Sequence, residues 1–124
     1  MAKFFLISGC LQAFLSVTFG AFGAHALKTR FDDYAMGVYK TAVEYQFFHS
    51  GALLLVGLLL LRTDEKLLNW SGYSFLIGTL LFSGSLYCLA FSGIKVFGAI
   101  TPLGGTLYLA GWLMTALAVS KMSL

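Results

Sequence analysis

The stretch Phe4 to Arg30, FFLISGCLQAFLSVTFGAFGAHALKTR, decides the fold. Between Lys3 and Lys28 it carries no formal charge, and at 1.5 Å per helical residue it reaches about 36 Å, enough to cross a ~30 Å hydrocarbon layer. Lipid offers no water to an open strand, so the run reads as a transmembrane helix over about residues 4–27. Lys3, the apolar run and the AHA at Ala24 to Ala26 together resemble a secretory leader with its cleavage site, but the run is long for a leader and right for a span. We expect it to be retained. Its small residues Ser16, Gly20 and Ala24, spaced by four, predict a surface where a second helix packs closely.

The rest of the 124-residue chain follows suit. Charged residues make up 10% of it, against about 25% in an average soluble domain, so water is not its main solvent. Three further apolar runs, at about 42–61, 70–91 and 102–119, predict an all-α, four-helix transmembrane bundle forming one integral membrane domain. Four spans are too few for a closed barrel. The longest polar piece, KTRFDDYAMGVYKTAVEYQ, offers Asp32 or Asp33 as a helix cap and aromatic residues at helical spacing. It reads as an amphipathic interfacial segment between helices 1 and 2, running into the second span. Thr101-Pro102 reads as the start of the fourth span, with Thr as N-cap and Pro at the first helical position. The apolar VFGAI before it reads as a half-buried turn or short re-entrant piece. Gly78, Gly84, Gly104, Gly105 and Gly111 extend the set of close-packing positions.

Lys and Arg are spread singly, so the net charge of +3 makes no basic patch and nucleic acid is not an expected partner. Orientation rests on the positive-inside rule, and here the two sides tie: Lys3, Arg62, Lys66 and Lys121 against Lys28, Arg30, Lys40 and Lys95. The free N-terminal amine, and the distance of Lys40 from the spans, favour cytoplasmic termini.

Polar residues within spans are costly and define the candidate site. Antiparallel spans place the end of helix 1 and the start of helix 2 on one side, which predicts a cluster of His25, Glu44, Tyr45, Gln46 and His49. Three uses compete for it: a structural hydrogen-bonding role, a proton- or ion-handling site using the imidazoles, and a metal or haem site with two histidine ligands. Gln12, near the middle of span one, is expected to bond across to span three or four, and Trp112 to pack within the bundle or at an oligomer contact. The cysteines, Cys10 and Cys88, fall near opposite surfaces and have no metal-ligand spacing. No nucleophile motif such as GxSxG occurs, so no enzyme and no catalytic residue are expected.

The order of FGAFGAHAL, TAVEYQFFHS, GTLLFSGSLYCLA and GAITPLGGTLYLAGW resembles the bacterial inner-membrane family of domain of unknown function 423, related to transmembrane protein 256. The resemblance covers nearly the whole chain and implies a four-span protein of the bacterial inner membrane. Its signature segments take in His25, Glu44, Tyr45, Gln46 and His49, as well as Ser83, Gly84, Ser85, Thr101, Pro102, Gly104 and Gly105. The expected function is that of a non-enzymatic membrane subunit, assembling with itself or serving a larger membrane complex, with bound lipid and no required cofactor. The alternatives are an oligomeric channel or transporter using a His25/His49 face, and a haem-binding redox protein.

Overall fold

A computed structural model describes residues 1–124 and contains four helices and no strands. They are α1 (Ala2–His25), α2 (Asp33–Leu60), α3 (Lys66–Ser92) and α4 (Val96–Ser120), each long and apolar enough to cross a membrane. The polar segment after α1 is the opening of α2 itself: Asp32 caps the helix by accepting from the Ala35 N–H at 2.8 Å, and the helix runs unbroken into the second span. Its 28 residues extend about 42 Å, the thickness of a bilayer with its headgroups. At the end of α3 the chain turns through Gly93, whose φ of 70° is a left-handed C-cap favouring glycine.

The fourth helix corrects the expected boundary. It starts at Val96, so VFGAI forms its first turn and Pro102 lies inside it. The stretch is apolar and follows a connection of only three residues, and a helix is the one way for its backbone to bond itself at that depth. Thr101 does not cap; its hydroxyl meets that of Ser85 on α3 at 2.6 Å.

Extensive packing joins consecutive helices only: α1 on α2, α2 on α3 and α3 on α4. All pairs are antiparallel, and both termini lie at the end marked by the connection 61–65, where Tyr73 reaches Met1. The main core, Phe5, Leu53, Val56, Leu68, Phe75 and Tyr108 among others, fills that half of the molecule. Polar side chains tie the helices elsewhere. Tyr39 donates to the Phe19 carbonyl, Ser83 donates to the Ala42 carbonyl at 2.7 Å, and Ser71 and Thr115 share the Gly111 carbonyl.

The contact face of α1 differs from the ladder spaced by four. Gly9, Ser16 and Gly23 are buried, Gly20 makes ordinary contact with Val43, and Ala24 is exposed. A step of four residues rotates about 40° around a helix and a step of seven only about 20°, so the face that keeps touching a neighbour recurs by seven. Gly78 and Gly104 are the tightest crossing between α3 and α4: a Cβ on Gly104 would run into the Phe82 backbone. Gly105 makes only ordinary contact with Phe82, and Gly84 has open space beside it.

Candidate functional site in the membrane interior

Packing and hydrogen-bond spacing along α2 turn Gln46 and His49 inward, where both are buried. His49 sits one helical turn below Tyr45, and its Nδ1 is 2.8 Å from the Tyr45 carbonyl. From α4, Trp112 donates its indole N–H to His49 Nε2 at 3.1 Å. An indole nitrogen can only donate, so Nε2 is the acceptor, and Nδ1 carries the proton and donates to the carbonyl. This fixes His49 as a neutral imidazole of one tautomer. Its ring stacks on Tyr108 at 3.5 Å between centroids, and Tyr108 in turn donates to Thr79 Oγ1 at 2.9 Å.

A second polar thread crosses three helices. Tyr87 of α3 donates to Gln46 Oε1 at 2.6 Å, and Gln46 Nε2 donates to Gln12 Oε1 at 2.6 Å. Gln12 therefore bonds to α2 rather than to span three or four. Adjacency in the chain decides this, because α1 packs along α2. Tyr39, Tyr87, Tyr108 and Thr79 were not singled out from the sequence. The available signal was a hydroxyl in the middle of an apolar run, which must find a partner when water is absent.

The predicted cluster comes together only in part. Gly23 packs on Tyr39, so His25, exposed at the end of α1, lies beside the beginning of α2. His49 is ten residues further along, about 15 Å. At that separation the two imidazoles do not converge on one point, and the one available lone pair of His49, on Nε2, already accepts from Trp112. No group of three His, Cys, Asp or Glu side chains converges on a point, and Cys10 and Cys88 are unpaired and exposed.

Glu44 and Tyr45 stand at the surface beside His49. They border a groove of about 660 Å³ between α2 and α4, with Phe48, Phe82, Tyr108 and Trp112 among its walls. Glu44 is eleven residues from the start of α2, about 16 Å along the helix, and lies two residues inside the apolar run expected at 42–61. On its other side it borders a smaller crevice against α1, shared with Lys40.

The family model described as a protein of unknown function (DUF423) matches residues 19–105, from the second half of α1 through the first turns of α4. A UPF0382 membrane protein of Staphylococcus haemolyticus is 44% identical over 119 residues, covering 96% of this chain and 97% of its own. One from Staphylococcus saprophyticus is 41% identical over 97% of this chain and 99% of its own. The UPF0382 inner membrane protein YgdD of Escherichia coli K12 is 38% identical over 98% of this chain and 92% of its own. No solved structure matches. With four apolar helices and full-length likeness to these membrane proteins, the chain belongs to the DUF423 family of multi-pass membrane proteins.

Proposed function

We propose that this protein is a non-enzymatic subunit of the bacterial inner membrane that works by lateral assembly, chiefly with itself. Support comes first from the interior. Its buried polar side chains bond to one another or to backbone carbonyls, with Asn69 Oδ1 the one buried atom left over, and several of these bonds join helices. Function is then left to the outer surface.

The observation that carries the reading is on α2. Gly37 and Gly51 stand 14 residues apart, about 40° from one another around the helix, and a Cβ on either would meet nothing within 4 Å. Within this chain no neighbour needs them small. A shallow apolar depression of about 420 Å³ surrounds Gly51, lined by Ala13, Phe47, Leu54 and Leu55 among others. Open glycines beside a depression are what a second helix needs for close approach in lipid.

The test is a Gly51→Cys substitution in a chain whose own two cysteines are replaced by serine, oxidised in native membranes. Disulfide-linked dimers are expected from position 51 and not from a cysteine at the outward Leu109 of α4. Equal yields at both positions, or none at 51 together with a monomer count in single-molecule bleaching, would overturn self-assembly. We further propose that both termini face the cytoplasm; the inner-membrane name of the Escherichia coli relative supports the choice of membrane.

A further inference from the structure

The groove between α2 and α4 has a composition that its structural role does not call for. Its volume of about 660 Å³ lies in the range of small-molecule sites. Its walls are aromatic and contiguous: Tyr45 to Phe82 is 4.6 Å between centroids, Phe82 to Tyr108 5.3 Å, and Phe48 to Trp112 5.8 Å. Glu44 is the only charged residue that borders it. His49 contributes no positive charge, because its Nε2 must stay unprotonated to accept from Trp112. The mouth thus holds a carboxylate near the outer end of the second apolar run, and the walls are built of aromatic rings, whose faces are electron-rich.

We propose that this groove binds a lipophilic organic cation, such as a quaternary ammonium or phosphonium with aryl or alkyl arms, entering sideways from the bilayer. The cationic centre takes the position facing Glu44, where charge attraction is poorly screened by lipid and the rings add cation–π attraction. The arms lie against Phe48, Phe82 and Trp112. An open side toward the membrane fits a ligand that has already partitioned into lipid: Phe48 and Leu109, on opposite lips, are 63% and 68% exposed. Lys40 is the built-in competitor. It borders the crevice on the far side of Glu44, one helical turn away, and can neutralise the carboxylate when the groove is empty. A ligand cation competes with it for the carboxylate. All residues of the site come from one chain; Phe48 and Trp112 also border the depression at Gly51, so the groove adjoins the assembly face proposed above.

Trp70, exposed on α3, and Trp112 are the only indoles, so a Trp70→Phe chain reports on Trp112 alone. The purified full chain in lipid nanodiscs is titrated with tetraphenylphosphonium and, separately, with neutral triphenylphosphine oxide. Saturable change in Trp112 emission is expected with the phosphonium only. Glu44→Gln, a surface change that leaves the His49–Trp112 contact in place, is expected to weaken binding at least tenfold, and Lys40→Gln to tighten it severalfold. Equal response to the neutral compound, or affinity unchanged by Glu44→Gln, would overturn the proposal and leave the groove a slot for acyl chains. A response that persists with the phosphonium but fails to strengthen in Lys40→Gln would overturn the competition with Lys40.

Discussion

The Trp112–His49 contact shows how a single pair can set the chemistry of a buried ring. Because the indole N–H points at Nε2, the imidazole has no free lone pair to offer a metal and no second proton to give without losing a partner. Replacing Trp112 with Phe keeps an aromatic body in the packing against Phe75, 5.0 Å away, but strands the Nε2 acceptor in a buried site. The cost is expected at about 1–3 kcal/mol, read as a lowered midpoint in detergent thermal unfolding. His49→Phe in the Trp112→Phe background should recover part of it, since both polar partners are then gone. Residue identities flagged these positions in the sequence: a glutamine, a histidine and a tryptophan in mid-span each demand a partner. Which partner was not legible. Gln12 could be matched with Gln46 only once α1 and α2 were known to lie side by side in register.

Elements were easier to find than to bound. Hydropathy located all four helices, and the Asp32 cap was readable because an Asp before a periodic stretch has one good use of its side chain. The start of α4 was not, because Thr-Pro is the usual opening of a helix but is also tolerated one or two turns inside a membrane helix, where neighbours re-satisfy the backbone. Glycine spacing misled in a similar way: residues four apart share a face for one turn and then drift, so Ala24 left the contact that Gly23 keeps. This sorts two glycines that look alike in the sequence. Gly104→Ala must push its methyl into the Phe82 backbone and is expected to lose about 1–3 kcal/mol, whereas Gly84→Ala meets nothing and gains slightly from helix propensity. Parallel melting curves of the two variants check the contrast, which would fail if both fell together.

Across the whole molecule, the even number of spans was legible from run lengths, and the structure brings both chain ends to the same side. The sidedness rests on a tie of four cations against four, which is a prediction in itself. Small charge changes should govern insertion: Lys28→Gln with Arg30→Gln is expected to fix the termini in the cytoplasm, and Lys3→Gln with Lys121→Gln to raise the fraction facing out. Labelling of a cysteine placed near either end, by a reagent that does not cross the membrane, measures it; no response to either pair would remove charge as the determinant. The same sequence could not show that α1 and α4 would lack an extensive contact with one another, since hydropathy says nothing about which flanks close. That open arrangement bears on how the chain is made. Each helix leans mainly on the one synthesised just before it, so every large interface can form between a segment already in the bilayer and the next to emerge, and the bundle can assemble during translation without waiting for its last helix.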